Sequence, residues 1–109
     1  MTLYNVVIGE RARADWQGYI IHILQKFGRQ PATNTHNDFI ATIQELSRTA
    51  GSLQLYYDEP LAAAMGYHRI NFVGGHHYYM LYRIVGHEAI IDFVSHYRRS
   101  VKRMIIKGK

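Results

Sequence analysis

The sequence predicts an α+β fold with an N-terminal strand, a hairpin of two helices and a three-stranded antiparallel meander, with both helices on one face of the sheet. Up to about residue 50, apolar residues recur at steps of three or four, which is the period of an amphipathic helix. After residue 66 they alternate with polar residues, which is the period of a strand. Glycine-containing turn signals separate the β-rich runs, so these runs are expected to be antiparallel neighbours.

The composition indicates one domain over residues 1–109, with a basic C-terminal tail at about 100–109. Hydrophobic residues make up 48% of the chain, which is enough to form a core. Cysteine is absent, which excludes disulfide scaffolds and thiolate metal sites and fits a cytoplasmic protein. Since no apolar run approaches the ~20 residues of a membrane span, and residues 1–4 open no signal peptide, we expect a soluble protein without a membrane partner.

The N-terminal half divides into one strand and two helices. The β-branched run Leu3–Ile8 predicts a strand that Gly9 closes. A helix is expected at roughly 10–27, ended by Gly28, because apolar residues follow at helical spacing: Ala12, Trp16, Tyr19, Ile20, Ile23 and Phe27. We interpret this stripe as core rather than as a cofactor pocket.

A second helix is predicted to begin near Pro31 and to end before Gly51, with a buried stripe at Phe39, Ile43 and Leu46. Residues 51–66 show no clean period and are expected to form a connector. The run Leu53–Tyr57 within it is interpreted as a strand-like piece.

Three strands are predicted at 67–73, 76–85 and 88–97, separated by Gly74-Gly75 and Gly86-His87. Alternation predicts a face that covers the helices: Ile70, Phe72, Met80, Tyr82, Ile84, Ile91 and Phe93. The other face would carry polar and aromatic residues: Tyr67, Arg69, Asn71, His77, Tyr79, Arg83, Asp92 and His96. Such a face indicates a working surface, although ordinary solvent-facing strand chemistry is the alternative.

The basic charge is concentrated in the C-terminal part. Residues 1–66 carry five Lys/Arg and six Asp/Glu, whereas residues 67–109 carry eight Lys/Arg and two Asp/Glu. The net charges are therefore −1 and +6. This asymmetry favours a polyanion or an acidic protein partner, with a solubilising tail as the alternative. The partner surface would extend from the polar face into the C-terminal cations: Arg98, Arg99, Lys102 and Arg103.

The residue patterns argue against metal or nucleotide binding. The chain has seven histidines, but no His-Glu-x-x-His motif occurs, and adjacent His76 and His77 should point to opposite faces of a strand. Gly74-Gly75 lacks the continuation of a phosphate-binding loop. We therefore expect no metal and no cofactor.

The residue types needed for metal-independent RNA cleavage are present. His96 and Tyr97 could transfer protons, and Arg69 or Arg83 could stabilise the charge on the phosphate, with Glu59 as a further proton-transfer group. Adjacent His96 and Tyr97 would face oppositely in a regular strand. Whether the chain is an enzyme therefore stays open at this stage.

The order of these segments resembles the RelE/ParE family of bacterial toxins over about residues 3–99. Ala12-Arg13-Ala14-Asp15-Trp16 is similar to the family's A-x-x-D-aromatic helix. The three strands resemble those of the family, the last two through its Y-R-φ and H-x-R-R motifs: Gly66-Tyr67-His68-Arg69-Ile70, His77 through Ile84, and Ile90 through Arg99. The resemblance implies the toxin of a type II toxin–antitoxin (plasmid stabilisation) module, which inhibits growth and binds a cognate antitoxin in a hetero-oligomer.

Two activities compete within that family, ParE-like action on DNA gyrase and ribosome-dependent cleavage of messenger RNA by RelE- and YoeB-like members. The Glu59 segment and His96-Tyr97 resemble the nucleases. However, Tyr79 stands where their phosphate-binding arginine is expected, and no lysine occurs between Arg29 and Val101. The resemblance therefore favours the ParE-like action slightly. A non-toxic nucleic-acid-binding or interaction module is a further alternative.

Overall fold

The computed structural model describes residues 3–56, 59–74 and 77–96. Its elements in chain order are β1 (Asn5–Ile8), α1 (Glu10–Phe27), α2 (Arg29–Thr49), a 3₁₀ turn (Ala50–Ser52), β2 (Leu55–Tyr56), α3 (Glu59–Met65), β3 (His68–Val73), β4 (Tyr78–Val85) and β5 (Glu88–His96). The predicted α+β class and helical hairpin are confirmed, and the three C-terminal strands agree with the predicted ranges within two residues at each end.

The strands form one five-stranded sheet in the order β1-β5-β4-β3-β2. β1 runs parallel to β5, and the other neighbouring pairs are antiparallel. The strand-like piece predicted around Leu53–Tyr57 is confirmed as β2, so the sheet has five strands rather than only the four of β1 and the meander. The parallel direction of β1 was not predicted, because the direction in which it pairs with a distant strand leaves no mark in its own sequence.

The helical hairpin is joined at Gly28, whose φ of 98° lies in the left-handed region that favours glycine. The Trp16 ring stacks on Phe39 of α2, with centroids 4.1 Å apart, and meets the edge of Tyr78 at 5.5 Å. This stack joins both helices to the sheet within the main core, which comprises Ala12, Trp16, Phe39, Leu46, Ala50, Val73, Met80, Tyr82, Ala89, Ile91 and Val94. The face of the sheet under the hairpin is called the hairpin face below.

The opposite face of the sheet, called the second face below, carries α3. Leu61 of α3 is buried in a small cluster with Tyr79, Leu81 and Phe93. The sequence predicted only a connector here, and α3 corrects that prediction. Seven residues with one buried apolar side chain give no helical period, although Pro60 suits a first helical turn.

A β-bulge in β5 decides which residues share a face. Leu81 pairs with Phe93 while Tyr82 pairs with Ile91, so Asp92 is an extra residue in β5. Alternation therefore restarts after Asp92. Phe93, predicted to lie under the hairpin, instead packs in the cluster on the second face.

The register of β3 corrects further predictions, because directly paired residues share a face. Arg69 pairs with Tyr82 and so lies on the hairpin face, not on the predicted polar face. Three other residues of β3 also lie on the face opposite to the predicted one. Asn71 lies on the hairpin face, and Ile70 and Phe72 lie on the second face. The predicted positions of Met80, Tyr82, Ile84 and Ile91 under the hairpin are confirmed.

Gly9 should not tolerate a side chain, because an added Cβ would lie 2.9 Å from the carbonyl oxygen of Ile91. We expect Gly9→Ala to lower the free energy of unfolding by roughly 1–3 kcal/mol through this backbone clash. Gly18 in α1 is the matched control. A Cβ there meets nothing within 4 Å, so Gly18→Ala should raise stability by about 0.5–1 kcal/mol. Urea unfolding followed by circular dichroism measures both, and equal effects would contradict this packing.

Candidate functional site

The second face carries a charged network centred on Asp92. Arg83 donates to its carboxylate from Nε, at 2.5 Å from Oδ2, and from Nη2, at 3.2 Å from Oδ1. His68 Nε2 lies 2.8 Å from Oδ2, and its Nδ1 lies 3.0 Å from the carbonyl oxygen of Gly66. The bulge makes this network possible, because it turns Asp92 toward β3 and β4.

The network holds Asp92 as a carboxylate. Burial by itself would raise the pKa of Asp92, but the hydrogen bonds from His68 and Arg83 and the Arg83 charge together lower it. The hydrogen bond between Arg83 and Asp92 also raises the pKa of Arg83. Arg83 is therefore a cation whose charge is largely offset by Asp92, although about a third of its side chain is exposed.

His96 lies on the hairpin face. Its backbone N–H donates to the Tyr19 hydroxyl at 3.3 Å, and its ring meets the edge of the Tyr78 ring at 5.4 Å. Burial, and then the neighbouring Tyr19, raise the pKa of Tyr78. His96 therefore lies among aromatic side chains beside α1, whereas Arg83 lies on the other face of the sheet.

Arg69 also lies on the hairpin face, near the 3₁₀ turn. Its Nη1 donates to the carbonyl oxygen of Leu53. Beside it the Tyr82 hydroxyl donates to the carbonyl oxygen of Ala50 at 2.6 Å, and burial raises the pKa of Tyr82 to about 12. Tyr82 thus keeps its proton at ordinary pH, and both side chains tie the end of α2 to the sheet.

The structure therefore does not gather the residues predicted for RNA cleavage. Arg83 is on the second face, whereas Arg69 and His96 are on the hairpin face at different places. Glu59 is exposed at the start of α3. Tyr97 lies outside the described residues.

The predicted partner surface is also divided. Tyr67 and His77 are exposed, as a surface role requires, but Tyr79 is buried under α3. Asp92 is engaged by Arg83 and His68. The remaining predicted residues lie outside the described part of the chain: Arg98, Arg99, Lys102 and Arg103.

An apolar groove on the helical hairpin was not predicted. It has a volume of about 220 Å³ and is lined by Trp16, Gln17, Ile20, Ile21 and His36. The indole Nε1 of Trp16 donates to His36 Nδ1 at 3.1 Å, which joins two of the lining residues across the two helices. Ile21 lies outside the predicted core stripe and is half exposed. An apolar residue off the stripe was the available sequence signal.

Residues 3–56, 59–74 and 77–96 contain no group of three His, Cys, Asp or Glu side chains that could hold a metal ion. No helix in these ranges is long and apolar enough to cross a membrane.

Comparisons with known proteins identify the fold. No protein-family model matches the chain, and no curated protein matches it. Among solved structures, it is similar to a chain described as "Chromosomal ParDE TA system from P. aeruginosa", with a TM-score of 0.71 and 16% sequence identity. The match covers 86% of this chain and 96% of that chain. At this identity the likeness establishes a shared fold.

The Asp92 network makes the free energy of unfolding depend on pH in the acidic range. Because the pKa of Asp92 is lower in the folded than in the unfolded protein, its contribution is complete above the unfolded-state value and is lost as pH falls through the folded-state value. Asp92→Asn should lower the free energy of unfolding at pH 7 by about 1–3 kcal/mol and flatten its decline in acid. Urea unfolding from pH 7 to pH 2 measures this, with exposed Glu45→Gln as control, and parallel curves for wild type and D92N would contradict it.

Proposed function

We propose that this chain is the toxin of a toxin–antitoxin pair. The observation that carries the proposal is the fold shared along 86% of the chain with a component of a ParDE TA system. The motif resemblance to RelE/ParE toxins supports the same assignment independently, since it rests on the order of sequence segments rather than on coordinates.

Among the activities of such toxins, we favour ParE-like inhibition of DNA gyrase by binding. Cleavage of RNA needs a proton-transfer group and a charge-stabilising group within hydrogen-bond reach of one phosphate. His96 and Arg83 lie on opposite faces of the sheet, and the Arg83 charge is offset by Asp92. This arrangement supports action without chemistry, and neither activity would require a metal or cofactor.

The partner in this proposal is a cognate antitoxin with an acidic segment. Residues 1–96 carry seven Lys/Arg and eight Asp/Glu, whereas residues 97–109 carry six Lys/Arg and no acid. A net charge of +6 within 13 residues attracts an acidic chain and speeds its association. The toxin–antitoxin hetero-oligomer would form in the cytoplasm, with the C-terminal cations as the electrostatic anchor: Arg98, Arg99, Lys102 and Arg103.

Charge reversal tests this anchor. The double variant Lys102→Glu/Arg103→Glu should weaken binding to the antitoxin encoded beside this gene by at least about tenfold at low salt and reduce the salt dependence of association. Lys26→Glu/Arg29→Glu, which makes the same change in net charge at the helical junction, is the control. Isothermal titration at two salt concentrations measures both, and equal losses would show that only net charge matters.

Induction of the protein in bacteria tests the function and its target. We expect growth arrest with DNA-damage signalling, relieved by the antitoxin and unchanged in His96→Ala. Sequencing of messenger-RNA 5′ ends in the same cultures serves as the second readout. Ribosome-phased cuts that disappear in H96A would establish the messenger-RNA endonuclease instead.

Normal growth at good soluble expression would contradict the toxin assignment altogether. The remaining alternative, a non-toxic nucleic-acid-binding or interaction module, would then be favoured by tight, steeply salt-dependent binding to generic RNA or DNA.

A further inference from the structure

Both ring nitrogens of His68 face hydrogen-bond acceptors. Nδ1 lies 3.0 Å from the carbonyl oxygen of Gly66, and Nε2 lies 2.8 Å from Oδ2 of Asp92. A neutral imidazole has one N–H and could donate to only one of these oxygens, whereas an imidazolium donates to both. The His68 side chain is fully buried, so water cannot replace a missing donor.

The surroundings of His68 keep Asp92 an acceptor. Arg83 of β4 pairs with Asp92, and the lowered pKa of Asp92 keeps it ionised. Further titratable residues lie on the elements around this network. Tyr56 of β2 is the strand partner of His68, Arg11 of α1 lies over the Phe93 ring that contacts His68, and Glu59, the acid of α3, is exposed.

Gly66 connects this ring to α3. Its N–H donates to the carbonyl oxygen of Ala62 at 2.8 Å, and its φ of 94° is typical of the glycine that ends a helix. The chain of contacts therefore runs from the end of α3 through Gly66 and His68 to Asp92 in the bulge of β5. Leu61 buries its side chain against the sheet, and this chain of contacts is a polar link between the same helix and the sheet.

We propose that protonated His68 is a latch that holds α3 against the sheet, and that loss of its proton at higher pH releases α3. In the neutral ring one lone pair faces an oxygen, so either the Gly66 or the Asp92 contact becomes repulsive. Release of α3 uncovers the apolar side chains beneath it: Tyr79, Leu81 and Phe93. The latch acts within the isolated chain and does not depend on the toxin assignment.

Nitrogen-15 NMR of the histidine rings tests the protonation state directly. At pH 6 the His68 ring should carry a proton on both nitrogens, and by pH 9 on one. A His68 ring with one unprotonated nitrogen at pH 6 would overturn the proposal. A ring still doubly protonated at pH 9 would overturn the switch, since α3 would then be fastened permanently.

Hydrogen exchange tests the release of α3. Protection factors of the amides that end α3, normalised for the intrinsic effect of pH, should fall at least about tenfold between pH 6 and pH 9, while those of α1 stay constant. His68→Gln should abolish this pH dependence, and exposed His22→Gln should retain it. If H68Q does not fold, the wild-type comparison decides: α3 protection that is constant while His68 loses its proton overturns the proposal.

Discussion

The pairing of β4 with β5 around one extra residue is the constraint on which both faces of the sheet depend. Since a strand alternates strictly, inserting Asp92 between Ile91 and Phe93 changes the side of every later residue in β5. Ile91 completes the core under the hairpin, and Phe93 packs beneath α3. The bulged residue itself points its carboxylate at Arg83 of β4 and His68 of β3, so one irregularity serves packing and electrostatics together.

Different interactions stabilise the two faces of the sheet. Under the hairpin, the stacked rings of Trp16 and Phe39 and the aliphatic side chains around them exclude water over a broad area. On the second face the apolar cluster is small, and charged hydrogen bonds to Asp92 supplement it. The strength of a hydrophobic contact does not change with pH, whereas a hydrogen bond to an ionised carboxylate weakens when the carboxylate is protonated. The second face is therefore the part of the fold whose stability is expected to change with pH.

This division bears on mechanism. A cation that already has a carboxylate partner is poorly suited to stabilise charge on a reacting phosphate, because the partner would have to be displaced first. Arg83 is in that position, and His96 stands among tyrosines on the other face. Residues 97–109 carry six Lys/Arg and no acid, a composition that suits the binding of an acidic chain. These charges are the basis of the proposal that the chain acts by binding rather than by chemistry.

The sequence by itself determined the charge distribution and every helix and strand except α3. Helical spacing and Gly28 were sufficient for the bounds of α1, and alternation placed Met80, Tyr82 and Ile84 under the hairpin, because these patterns depend on near neighbours in the chain. Only the tertiary structure decided the parallel direction of β1, the register of β3 and the bulge at Asp92. A period of two shows that a strand has two faces but not which one is covered, and a slip of one residue exchanges them. Pairing energies between distant segments make that choice, and for this reason the predicted polar face was divided between the two sides of the sheet.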